Sequence, residues 1–422
     1  AMLSMTGRVT MLGISRWSEQ GASYRTIQRF FKLTLLWYEL QVNLIRHHLL
    51  DEGGYILAGD EVVVTKAGHS TFGLNRFFSS LYGHPVKGLC FFSFALVSIQ
   101  QGTAYPLYAE QVVREKVASA QGKSKGKKGG KKQQAQGETP AAEEGKKPGR
   151  PKGSKNRDKR NVQLSAYLLF VSGMLGKVLK CLRPFLPLEY VVFDGAFGYN
   201  DVLQLAQRLN LSLISKLNRR SCLYEPYEGA QAKRGARRKY ADKLDYQNLP
   251  LRYRLRVSSN QDVQTELYQL KALHKDFADP LNVVIIVKTN LKTGARAHVV
   301  LFSSDLSLEA ERLVKYYSLR FQIEFTFRDA KGFWGLEDFM NQGRQPLHHA
   351  VNLSLFMVTL SKVLLRQAQA QGREMGVLDL KAQFRAAKYV LETLKLLPEK
   401  FDPIVEQTIL TRMPNLGAIH AP

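Results

Sequence analysis

Cysteine is scarce: the chain has three in 422 residues, Cys90, Cys181 and Cys222, scattered and odd in number. That count excludes a disulfide framework, the spacing excludes a cysteine-ligated zinc site, and both suit a reducing cytosol. Long apolar runs are missing as well. "VNLSLFMVTL" from Val351 stops at Ser361 and Lys362, short of the roughly 20 residues a membrane span needs, so no membrane partner is expected. No hydrophobic signal segment opens the sequence and no internal repeat is found. Acid is also in short supply, with 36 Asp+Glu against 61 Lys+Arg and a formal charge of +25. An excess of that size goes beyond solubility and points to a polyanion, nucleic acid first. Residues 116–160 hold fifteen Lys and Arg against four acids, so +14 remains on the rest of the chain.

What is present, 45% hydrophobic residues, suffices for one large core or two to three smaller ones. Residues 1–50 are helical in pattern: "TMLGISRWSEQ", a turn at Gly21 and Ala22, then "SYRTIQRFFK" with Ser23 as N-cap. This is helix-turn-helix-like, with Arg25, Thr26, Arg29 and Lys32 offered to DNA, or else a helical hairpin packed on the body. Residues 51–115 carry three apolar, β-branched strands, "YILAGDEVVVTK", "GLCFFSFALVSI" and "TAYPLYAEQVV".

Residues 116–160 have almost no large apolar side chain and cannot repay their own ordering entropy, so a disordered basic linker is expected. Within it "KKPGRPKGSKNR" resembles an AT-hook, with Arg150 entering a narrow A·T minor groove and Lys152 beside it; a plain polycationic tether is the alternative. Residues 161–218 alternate helix, strand, helix, strand, an α/β pattern. Residues 219–296 are a basic, mainly β insertion. Residues 297–345 return to the core with "AHVVLFSSD" and a helix over 307–331, and 346–422 are helical again.

Asp60 lies inside the apolar strand "ILAGDEVVV" and Asp194 closes "LEYVVFDG". An ionised carboxylate so placed is costly unless paired, and a metal ion is one partner that justifies it; a strand-end cap is another. The stretch "YYSLRFQIEFTFRDAKGFWG", residues 316–335, has the third acid. At about 100° per residue Tyr317, Arg320, Glu324, Arg328 and Lys331 share an arc of roughly 80°, while Leu319, Ile323, Phe327 and Ala330 form a packing face. Glu324 is therefore the acid placed to join the strand aspartates, and Asp329 lies off that arc. His69 in "KAGHSTFG" is read as structural before catalytic, and the His47-His48 and His348-His349 pairs have no partners at zinc spacing.

These residues resemble bacterial insertion-sequence transposases with an RNase H-like DDE catalytic domain, in the group marked by Y-x2-R-x3-E-x6-K. Tyr317, Arg320, Glu324 and Lys331 match every residue and gap of that signature, and the order of parts agrees over roughly residues 50–335. The resemblance implies an RNase H-like mixed sheet flanked by helices and interrupted by a mainly β insertion domain. It implies that Asp60, Asp194 and Glu324 hold two Mg²⁺ or Mn²⁺ ions, oxygen ligands suiting both. Tyr317, Arg320 and Lys331, with Arg328 on the same arc, would hold phosphates and an unstacked nucleotide at the cleaved end. The implied partners are terminal inverted repeats and target DNA, bound by a homodimer on paired ends in the bacterial cytoplasm at the nucleoid.

One feature departs from the family pattern. The tryptophan that commonly stacks the flipped base comes from the insertion, whereas Trp17, Trp37 and Trp334 all lie outside it. Either Tyr224, Tyr227 or Tyr240 stacks instead or the hairpin route does not apply. The expected activity is metal-dependent DNA cleavage and strand transfer. The alternatives are an RNase H-like nuclease or resolvase that cuts without joining, and a domesticated DNA-binding protein without activity.

Overall fold

The computed structural model describes residues 1–18, 22–79, 82–114, 158–397 and 402–413. Arg150 and Lys152 lie outside them. The N-terminal region holds α1 (Met11–Arg16), α2 (Tyr24–Phe30) and α3 (Trp37–His48). Thr10 caps α1 through a bond from the Gly13 N–H at 3.0 Å, and Ser23 caps α2 from the Thr26 N–H at 3.3 Å. The first strands are β1 (Tyr55–Thr65), β2 (Asn75–Ser79), β3 (His84–Ser98) and β4 (Thr103–Val112). After them come α4 (Ala166–Leu182), β5 (Tyr190–Val192), a 3₁₀ turn at Gly195–Phe197, α5 (Asn200–Arg208) and β6 (Ser212–Leu217). Residues 219–296 contribute β7 (Leu223–Pro226), β8 (Tyr240–Lys243), β9 (Arg254–Asn260), β10 (Val263–His274) and β11 (Leu281–Asn290). The chain ends through β12 (Arg296–Ser303), α6 (Ala310–Leu319), α7 (Gln322–Trp334), α8 (Arg344–Ala370), α9 (Val377–Leu394) and α10 (Pro403–Arg412).

The strands form one mixed sheet of twelve, ordered β2-β3-β1-β5-β6-β12-β11-β10-β7-β8, with β4 on β3 and β9 on β10. The β1, β3 and β4 pairings are antiparallel, while β5 runs parallel to both β1 and β6. This is the mixed α/β sheet expected, and β10 and β11 of the insertion continue it through β12. Strand alternation splits the core in two. Tyr55 and Leu57 of β1 join Phe92, Phe94 and the inner faces of α3, α4 and α5. Ile56, Ala58, Val62 and Val64 join α6, α7, α8 and the N-terminal Met2, Met5 and Ile14.

By length and composition α8 could cross a membrane, its best 18-residue window having a mean hydropathy of 1.2, but 67% of that window is buried inside the protein. A core helix between a sheet and its neighbours has the same composition. The expected single helix over 307–331 is instead two. At the junction Phe321 bonds to Ser318, Ile323 to Arg320 and Glu324 to Phe321, all i→i−3. No glycine or proline marks that tightening; it falls where Arg320 reaches across to Asp60, a contact 260 residues away in sequence.

Candidate active site

Asp60 occupies the middle of β1 on the face that packs against α6 and α7, and Glu61 points to the other face, where its Oε1 accepts a bond from Tyr167 at 2.5 Å. The parallel register pairs Ala58 with Val192. Asp194 follows two residues beyond this register, in the turn after β5, and its charge acts on Asp60. Gly59 leaves room for the neighbouring Phe193, since a Cβ there would lie 2.3 Å from the Phe193 ring. Asp194 also caps the 3₁₀ turn, accepting from the Ala196 N–H at 3.1 Å, so the strand-end cap reading holds together with its influence on Asp60.

Glu324 sits in the first turn of α7, where a carboxylate is favoured by the helix dipole. Arg320 joins the two elements: Nη1 donates to Asp60 Oδ2 at 2.7 Å and Nη2 to Glu324 Oε1 at 3.0 Å. Its side chain is 12% exposed, against 20% for Asp60 and 41% for Glu324. Burial pushes Asp60 up to about 6, with Asp194 and Glu324 adding repulsion, while Arg320 and the Glu61 N–H pull the other way. Tyr317 is raised by burial too, with Arg320 opposing and the Asp194 and Asp60 charges adding to the rise. Asp60, Glu324 and Tyr317 thus meet around Arg320, and the Asp194 charge acts on Asp60 and Tyr317.

The other expected residues stand elsewhere. Lys331 Nζ donates to the Val63 carbonyl of β1 at 2.9 Å and pairs with Glu337 at 2.8 Å, which turns it toward the protein. Arg328 is exposed, with its guanidinium 4.7 Å over the Phe325 ring; sharing a helical arc with Glu324 does not bring it into the cluster. Arg25 and Arg29 are exposed on α2. His69 is exposed beside Lys87, 3.3 Å away. Tyr224 and Tyr240 pack edge to face on β7 and β8, the sixth and seventh strands from β1 along the sheet. Two lysines that no motif marks also bear on the elements that carry the three acids. Lys66, the residue after β1, donates to the Glu337 and Phe339 carbonyls at 3.0 and 2.7 Å. The Lys216 side chain lies along the Asp194 turn, its Cε 3.2 Å from where a Cβ on Gly195 would stand.

The donor chemistry fits a hard divalent cation: three carboxylates, with Asp60 raised by burial and by the charges of Asp194 and Glu324. The spacing fits less well. Among the described residues no three His, Cys, Asp or Glu side chains stand close enough to share one ion, and the Arg320 guanidinium is what lies between Asp60 and Glu324.

The mixed sheet thus carries Asp60 on β1, Asp194 in the turn after the adjacent parallel strand β5, and Glu324 on the later helix α7. The chain belongs to the DDE superfamily endonucleases, which it matches over residues 1–273, a span that takes in Asp60 and Asp194 and ends before Glu324. Among solved structures it is similar to a piggyBac transposase synaptic complex with hairpin DNA, at 9% identity and a TM-score of 0.39, over 86% of this chain and 57% of that one. No curated protein matches.

Proposed function

We propose that the protein is a DNA transposase that binds the terminal inverted repeats of its own element and catalyses both cleavage and strand transfer. The observation that carries this reading is the meeting of Asp60, Asp194, Glu324, Arg320 and Tyr317 in one interacting cluster, drawn from β1, the turn after β5 and the α6–α7 junction. DDE endonucleases generally work with divalent metal ions. Here Asp60, Asp194 and Glu324 would hold them, two Mg²⁺ or Mn²⁺ ions, and the metal would supply an activated attacking oxygen and a stabilised leaving oxygen.

The chain's own residues do the rest. Arg320 offers a planar fork matched to phosphate oxygens, and Tyr317 stands beside it to orient the cleaved end. Lys331 and Lys66 tie α7 and the loop after it to β1, which sets the spacing of Glu324 from Asp60. Arg25, Arg29 and Arg328 are exposed as phosphate contacts require. The positive charge left outside residues 116–160 favours a long polyanion over a small substrate. A homodimer holding two paired ends completes the proposal.

The decisive test is incubation with DNA from the element's own end and Mg²⁺. Wild type should cut and join, whereas Glu324→Gln should bind the end and leave it intact. Equal cutting by both proteins, or equal inactivity, overturns the assignment. Supplying a pre-cleaved 3′-OH end with a plasmid target separates a transposase from a nuclease that only cuts.

A further inference from the structure

The signature arginine stands where a cation belongs. Its guanidinium takes one oxygen from Asp60 and one from Glu324, at 2.7 and 3.0 Å, and any divalent ion bridging those carboxylates would claim the same lone pairs. Two cations in one contact shell repel strongly in a partly buried site. The third donor of the fork, Nε, is buried and bonded to nothing, so the pairing with carboxylates leaves Arg320 incompletely satisfied. The residue also sits at the junction of α6 and α7, where three i→i−3 bonds stand in for regular helical ones.

We propose that Arg320 is an exchangeable counter-cation. A divalent ion and the guanidinium compete for Asp60 and Glu324, and the displaced guanidinium is handed to a DNA phosphate, so that metal loading and DNA binding reinforce each other. A phosphate can accept from two donors of the fork at once, as the two carboxylates do separately here. The inference rests on the metal-site reading of these carboxylates. By linkage the coupling is reciprocal: whatever factor DNA gives to metal affinity, metal gives to DNA affinity.

The test titrates Mn²⁺ by electron paramagnetic resonance on wild type, Arg320→Met, Arg320→Lys and Asp60→Asn, each alone and with a duplex oligonucleotide of arbitrary sequence. Without DNA, Arg320→Met should bind Mn²⁺ at least about tenfold more tightly than wild type. Arg320→Lys, which keeps the charge and loses the fork, should fall between them. DNA should tighten Mn²⁺ binding to wild type and leave Arg320→Met unchanged. If Arg320→Met binds Mn²⁺ no better than wild type while Asp60→Asn binds it worse, the exchange is wrong and the metal site stands. If Asp60→Asn binds Mn²⁺ as wild type does, the metal site itself is misplaced and the exchange falls with it. Should Arg320→Met not fold, the lysine variant decides, because tightening is expected there too and its absence refutes the exchange.

Discussion

A hydrogen atom is the whole side chain at Gly198, where an added Cβ would lie 2.2 Å from the Lys216 carbonyl oxygen. The turn that carries Asp194 can therefore press against β6 only if that position stays bare. Gly198→Ala should destabilise the protein by about 1–3 kcal/mol through forced backbone movement, and it should weaken Mn²⁺ binding by moving Asp194. Urea denaturation and the Mn²⁺ titration would show it; wild-type values in both would mean that the close approach is not needed. At this scale the sequence singles out Asp60 and Asp194 as charges at apolar strands and Glu324 as the acid with matching arginine and lysine gaps, and the structure brings Asp60 and Glu324 onto one guanidinium. The partner of Arg320 did not stand out, because an i to i+4 pattern predicts Glu324 and says nothing about an aspartate on a distant strand.

Among the elements, α7 is held to β1 by cross-ties that also set the active-site spacing. Lys66 donates to the Glu337 and Phe339 carbonyls, and its ammonium lies 3.7 Å over the Phe339 ring. Lys66→Met should lower the cleavage rate and the thermal midpoint while leaving affinity for end DNA near wild type; a parallel loss of DNA affinity would make it a DNA contact instead. A second buried lysine gives a pH signature. Lys362 of α8 donates to the Ala104 carbonyl, and burial lowers it from 10.5 to about 8. A depressed lysine releases its proton in the folded state first, so folding stability rises as pH climbs from about 8 to 10.5. Thermal midpoints across that window should show this rise in wild type and a smaller one in Lys362→Met. Caps and apolar periodicity made most helices readable. The division into α6 and α7 was not, since "LRFQIE" contains no breaker and the tightening coincides with a tertiary contact.

For the whole molecule, the continuous sheet was harder to foresee than the charge. Composition marked residues 219–296 as basic and β-rich, but their hairpins join the core sheet only because β12 pairs with β6, Val300 opposite Leu217, a long-range contact that no local pattern encodes. The charge has a direct consequence for binding. Each phosphate contact adds about 0.9 to the slope of log affinity against log salt on duplex DNA. Removing residues 116–157 should make that slope shallower while end cleavage at low salt persists. An unchanged slope would mean that the basic segment does not touch DNA.

The eleven paired positions between β1 and β3 run without a bulge from Tyr55–Ser98 to Thr65–Gly88. They act as a ratchet for handedness of chemistry. Slipping β1 by a single residue would turn Asp60 toward Tyr167 and present Glu61 to Arg320, reversing every side chain at once. A one-residue insertion or deletion within β1 upstream of Asp60 should therefore destroy the active site more thoroughly than point substitutions in the same strand, and a compensating change of one residue on the same side of Asp60 should restore it.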